Sequence, residues 1–149
     1  MAGTRELPTS LLMAIAARDA ENRILAAIQD AGYPDITLAQ ARLARGIDPG
    51  GTRLSVLAER AQFSRQTATA LVDRLEAAGY VERVADPDDG RARLVRLTER
   101  ALSGLPVARA EEQRIETEWE RHLGAGRMAA LREALTVLRT ITDPWAPPD

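Results

Sequence analysis

Residues 55–79, SVLAERAQFSRQTATALVDRLEAAG, decide the fold. Ser55 to Ala61 reads as a helix of barely two turns, and after the pair Gln62-Phe63 a second helix begins at Ser64 and runs to Ala78. Ser64 is a natural N-cap, its hydroxyl placed to accept a bond from a first-turn amide. Ala68, Leu71, Val72 and Leu75 recur at helical spacing and form an inward stripe, which leaves Arg65, Gln66, Thr69 and Asp73 outward. Gly79 supplies the left-handed terminator. Two short helices joined by a tight turn make a helix-turn-helix.

Downstream, Tyr80 to Val84 and Arg93 to Leu97 have the β-propensity and alternation of strands, with Asp86-Pro87-Asp88-Asp89-Gly90-Arg91 between them. That is a hairpin with a polar tip carrying Arg91. A helical pattern returns from Thr98 to Leu123, in which Pro106 is expected to kink the backbone or delay the regular helix. Gly124-Ala125-Gly126 breaks it, and a last amphipathic helix carries Met128, Leu131, Leu135, Leu138 and Ile141 before a proline-rich end. Upstream, Thr9 to Ala31 is a long helix closed by Gly32 and Pro34. Thr37-Leu38-Ala39-Gln40 then has the spacing of a capping box and opens a short helix to about Arg45. Gly46 to Gly51 is turn chemistry. The reading is a mainly α chain with a small β-hairpin wing: a winged helix-turn-helix, in which the second helix of the motif enters a major groove and the hairpin reaches backbone or minor groove.

Composition narrows the function. At 149 residues the chain is one compact domain, and 45% apolar with 28% charged residues is ordinary globular composition. No apolar run approaches the ~18 to 20 residues of a membrane span. Met1 to Leu7 lacks the apolar core of a signal peptide, so a cytoplasmic, nucleoid-associated location is expected. Cysteine is absent, which removes disulfides, zinc-thiolate sites and thiol nucleophiles, and any response to peroxide through thiols. The 20 basic residues, all arginine, nearly cancel 22 acidic ones. Between Arg53 and Arg100 nine arginines face eight acids, a weak electrostatic footprint for nucleic acid, so position has to carry the argument.

Position points to DNA. The run from Leu54 to Thr98, above all Leu57-Ala58-Glu59-Arg60, Ser64 to Thr69, Leu71-Val72-Asp73-Arg74-Leu75-Glu76, Gly79 to Arg83 and Asp86 to Arg91 with Val95-Arg96-Leu97-Thr98, resembles the MarR (multiple antibiotic resistance regulator) transcription factors. The resemblance implies a single domain over 1–149, with a DNA-binding lobe at 36–98 and a helical dimerisation lobe formed by 9–31 and 99–142. It further implies a homodimer on palindromic double-stranded DNA, acting as a repressor released by a small lipophilic or aromatic effector. Three positions depart from the family pattern. Gln62 stands where glycine is usual in the turn, Ala70 where a larger polar residue is frequent, and Gly90 where a wing arginine is common.

The DNA-binding residues expected on this reading are Ser64, Arg65, Gln66, Thr67, Thr69 and Arg74 on the recognition helix and Arg91 on the wing. Ser64 and Thr67 suit phosphate oxygens because free amides and the helix dipole point the same way. Asp89 is read as an orienting partner of Arg91. Arg18, Asn22 and Arg23 are the polar candidates for contact with an effector. His122, the one histidine, reads as a packed or solvent-edge side chain, and Glu111-Glu112 with Glu116, Glu118 and Glu120 as a solvated helix face. No spacing of nucleophile, base or metal ligands suggests catalysis, and no cofactor or metal is expected. The competing reading is a winged-helix scaffold that binds proteins and does not read DNA.

Overall fold

The computed structural model describes residues 6–146, so Arg5 and the carboxy-terminal Pro147 and Pro148 lie outside the described residues. Helices α1 (Thr9–Asp30), α2 (Leu38–Ala44), α3 (Leu54–Ala61) and α4 (Arg65–Ala77) come first. They are followed by the antiparallel strands β1 (Val81–Asp86) and β2 (Asp89–Leu97), then α5 (Glu99–Leu123) and α6 (Ala125–Thr142). The chain divides into two compact units, Met1–Glu111 and Glu112–Asp149.

The first unit is built around one core. Leu43 and Ile47 at the end of α2, Leu57 and Ala58 of α3, Ala68, Leu71, Val72 and Leu75 of α4, and Tyr80, Val81 and Val95 at the wing base cluster together. The four apolar positions of α4 are those its periodicity predicts. Helix α2 starts with the capping box: Thr37 Oγ1 accepts from the Gln40 amide at 3.2 Å and Gln40 Oε1 accepts from the Thr37 amide at 2.9 Å. Helix α1 is fixed to α2 by Glu21, which takes a two-point bond from Arg42 and a third bond from Arg45 at 2.7 Å. Both arginines hold the Glu21 carboxyl below the usual range, Arg42 the more strongly.

Two elements differ from the sequence reading. The expected delay at Pro106 does not occur, since α5 is helical from Glu99 onward with Pro106 inside it. One proline removes one hydrogen bond, to the carbonyl four residues back, and an exposed ring on a helix of 25 residues leaves the flanking turns to carry the backbone on. The wing is also longer than expected. Asp86 pairs with Asp89 across a turn of Pro87 and Asp88, so the polar segment read as a loop is mostly strand.

The wing base is held by backbone. Thr52 and Val95 exchange both amide-to-carbonyl bonds at 2.9 Å, which adds a short third rung to the two-stranded sheet. Gly51 makes this approach possible. Its φ is +101°, and a Cβ there would lie 3.0 Å from Leu94 Cβ and 3.3 Å from the Val95 carbonyl oxygen. Gly51→Ala is therefore expected to cost about 1 to 3 kcal/mol of stability, read as a lowered melting midpoint. An unchanged midpoint would show that the wing base yields freely.

A tyrosine joins the end of α4 to the start of α5. Tyr80 donates a short hydrogen bond to Asp35, its ring centre lies 4.4 Å below the Arg100 guanidinium, and Arg100 in turn reaches Asp35 at 3.5 Å. Burial, then the bond to Asp35, pushes the Tyr80 hydroxyl up to about 12. A raised value means that this group's contribution to stability is intact below about pH 10 and is lost as the pH climbs towards 12. Absorbance titration near 295 nm should show a late tyrosinate phase that Tyr80→Phe abolishes; a single phase near pH 10 would contradict the burial.

Candidate nucleic-acid interface

The recognition helix is positioned at both ends. At its start, Ser64 Oγ accepts from the Thr67 amide at 3.1 Å and donates to Thr67 Oγ1 at 2.9 Å, so the cap is formed and both hydroxyls are held at the N-terminus. The preceding turn is tight because Gln62 is left-handed, at φ 56°. Where glycine is usual, a side chain here costs about 1 kcal/mol. Its amide partly offsets this by donating to the Glu59 carbonyl at 2.8 Å.

On the outer face of α4, Arg65, Gln66, Thr67, Thr69, Ala70 and Arg74 are all exposed, in line with the stripe that buries Ala68, Leu71 and Leu75. Thr69 directs its hydroxyl proton to the Arg65 carbonyl at 2.8 Å, leaving its methyl and oxygen lone pairs outward. Asp73 and Glu76 share that face and would repel phosphate. Both are engaged by Arg83 of β1, which reaches each at 2.6 Å and ties the helix to the wing.

Pairing explains how a nearly neutral segment presents positive charge. Of the nine arginines between 53 and 100, five pair with acids of the same unit: Arg53 with Asp86, Arg60 with Asp48, Arg83 with Asp73 and Glu76, Arg96 with Glu82, and Arg100 with Asp35. Among the described residues the other four, Arg65, Arg74, Arg91 and Arg93, are exposed and have no acidic partner. They sit on α4 and on β2 near the wing tip. A count of charges hides this, because neutralised pairs contribute little field at a distance while unpaired cations keep theirs.

Arg93 is the residue that the sequence reading leaves out. Side chains two apart on a paired strand share a face, so Arg93 lies on the face of Val95, while Arg91 stands in the bulge between Arg93 and Asp89 where the register with β1 shifts. Val95 meets the core at 2% exposure, and the same face continues past it to the exposed Arg93, with the exposed Arg91 next along the strand. The signal was available in the sequence as Arg91-Ala92-Arg93. Gly90, beside them, is open, with no atom within 4 Å of a Cβ placed there.

The wing turn is ordered by two acids. Asp89 Oδ1 accepts from the Arg91 amide at 3.1 Å, so it shapes the turn that presents Arg91. Asp86, a buried carboxylate, accepts from the Asp88 amide at 2.9 Å and from Arg53 Nε and Nη2 at 3.0 and 2.8 Å. The Asp88 amide first, and Arg53 second, hold the Asp86 carboxyl below its usual range.

The candidates for effector contact lie on α1. Arg18 and Asn22 are exposed, whereas Arg23 is half-buried and paired with Glu111 at 3.4 Å. His122 is exposed near the end of α5. Among the described residues no three potential metal ligands cluster, and no helix is long and apolar enough to cross a membrane.

Residues 35–92, from two residues before the capping box to within β2, match the family described as MarR family. The transcriptional regulator PA4135 is 25% identical, with a TM-score of 0.70 over 92% of this chain and 99% of that one. A probable transcriptional regulator from Pseudomonas aeruginosa is 28% identical, with a TM-score of 0.56 over 85% of this chain and 96% of that one. Wild-type MarR from E. coli, in its apo form, shares the fold at 22% identity and a TM-score of 0.69, over 90% and 98%. Among curated proteins, none matches the chain.

Proposed function

We propose that this chain, whose residues 35–92 match the MarR family, is a DNA-binding transcriptional regulator, and that it acts as a homodimeric repressor of a palindromic operator, released by a small molecule. The observation that carries the DNA reading is the distribution of unpaired arginine: Arg65 and Arg74 on the recognition helix, Arg91 and Arg93 on the wing. Arg65, Gln66 and Thr69 face base edges in the major groove, Arg74 and the Ser64–Thr67 cap hold phosphates, and Arg91 with Arg93 lies in a flanking minor groove or along the backbone.

Dimerisation is supported by apolar residues left open at both ends of the chain. On and just before α1, Leu7, Leu11, Leu12 and Ile15 are 40 to 52% exposed; on α6, Val137 and Ile141 reach 65 and 83%. Surfaces of this kind mark association sites. Two winged helices related by a two-fold axis read half-sites about one turn, ~34 to 36 Å, apart. A lipophilic or aromatic effector would favour a dimer whose recognition helices are misplaced for successive grooves, so effector and operator compete through one equilibrium. Arg18, Asn22 and Arg23 are the proposed polar contacts, and an anionic effector reaching Arg23 would have to displace Glu111. The location proposed is cytoplasmic and nucleoid-associated.

Mobility shifts on the DNA upstream of the protein's own gene, against a shuffled duplex, test the reading. Arg91→Ala is expected to weaken both duplexes alike and to flatten the slope of log affinity against log salt by about two per dimer. Unchanged affinity and slope would refute the wing assignment. Absence of any shift with the intact protein would favour a protein-binding scaffold.

A further inference from the structure

We propose that Arg53 is a positioning residue for the wing: it latches the hairpin turn to the start of α3, and so sets where Arg91 and Arg93 stand, without itself touching DNA. The proposal rests on the DNA-binding reading above.

The geometry leads from one guanidinium to the two amides that define the wing tip. Arg53 Nε and Nη2 both donate to Asp86 Oδ2, at 3.0 and 2.8 Å, while Asp86 Oδ1 accepts from the Asp88 amide at 2.9 Å. The Asp86 side chain is 8% exposed, so this carboxylate is committed to those partners. A second path runs through Asp89, whose Oδ2 lies 3.8 Å from Arg53 Nη2 and whose Oδ1 accepts from the Arg91 amide at 3.1 Å. The Asp88 and Arg91 amides are therefore both held, at one remove, by Arg53.

The location of the latch gives it a purpose. A two-stranded hairpin is marginal on its own. The Thr52–Val95 rung anchors the base of the wing, but Ala85, Arg93 and the tip residues 87–91 are exposed, and beyond Ala85 only Asp86 is buried. A tip free to swing would dilute the contribution of Arg91 and Arg93 over many orientations. The Arg53 side chain serves the wing and not its own helix: Arg53 is the N-cap of α3, its carbonyl accepts from the Val56 and Leu57 amides, but its side chain makes no cap bond. Its guanidinium is turned to the wing instead, with its charge neutralised by Asp86.

Asp86→Asn separates this role from a direct phosphate contact by sign. The substitution adds a net positive charge and frees Arg53, so a phosphate-binding Arg53 predicts equal or tighter DNA binding. A latch predicts weaker binding and a shallower salt slope. Arg53→Ala, Arg91→Ala and the double variant complete the test: the double loss is expected to fall short of the product of the single losses by more than about twofold. In the free protein, hydrogen exchange at the Asp88 and Arg91 amides should quicken in Arg53→Ala, with α4 amides unchanged as the check that the fold persists. Tighter binding by Asp86→Asn, multiplicative losses in the cycle, or unaltered exchange at the tip would each overturn the proposal. Failure of the intact protein to bind any DNA would instead overturn the proposed function, and faster tip exchange would then leave Arg53 a latch on a wing with another task.

Discussion

Raising salt from about 50 to about 200 mM is expected to weaken operator binding roughly 10³-fold, with log affinity falling against log salt at a slope near −5. The expectation comes from the unpaired cations. Arg74, Arg91 and Arg93 of each protomer are exposed and without acidic partners among the described residues, and are the residues proposed to meet phosphates. Six such contacts in a dimer release about five counterions. The five arginines already paired inside the unit add little, because their charge is compensated before DNA arrives. Anisotropy titrations at several salt concentrations, on operator and shuffled duplex, would measure the slope. A slope shallower than about −2 would mean that the free arginines do not meet the DNA.

Leu75→Ala is expected to remove about 3 to 5 kcal/mol of stability, because the side chain is fully buried and its loss leaves a cavity among residues of α2, α3 and α4. Against a typical total of about 5 to 15 kcal/mol, that is enough to lower the melting midpoint by on the order of 10 °C and to abolish DNA binding at elevated temperature. Arg65→Ala, in the exposed first turn of the same helix, should do the reverse. It is exposed and free of acidic partners among the described residues, so its stability cost stays below about 0.5 kcal/mol, while operator binding loses about 1 to 3 kcal/mol at one or two base pairs per half-site. Thermal melts and titrations of both variants decide the matter. Comparable stability losses in the two would erase the distinction between core and reading face on which the assignment depends.

Local rules settled a great deal here. The 3.6-residue stripe of Ala68, Leu71, Val72 and Leu75, the Ser64 cap, the Thr37–Gln40 capping box and the Gly79 terminator all act within a few residues, and each appears in the structure where its spacing puts it. Periodicity likewise told which face of α4 is open, leaving Arg65, Gln66, Thr69 and Asp73 outward. Pro106 and the wing tip marked the limits of this reasoning. Local propensity put Asp86 to Arg91 at the polar tip between the strands, whereas Asp86 pairs with Asp89 and β2 begins there.

Electrostatics was the part that sequence could not supply. Nine arginines and eight acids give the same sum whatever their arrangement, but the field outside the protein depends on which of them are neutralised. Arg53 finds Asp86 across 33 residues, and Arg100 finds Asp35 across 65, distances over which no periodicity carries information. Arg83 reaches back only to Asp73 and Glu76, yet it does so because β1 turns to lie beside α4. The sequence by itself therefore determined the helices, their caps, the core stripe and the candidate reading face, since these follow from short-range sterics and hydrogen bonding. Which arginines remain free for DNA, and what holds the wing in place, was decided by the tertiary structure alone, because ion pairs form between groups that only folding brings together.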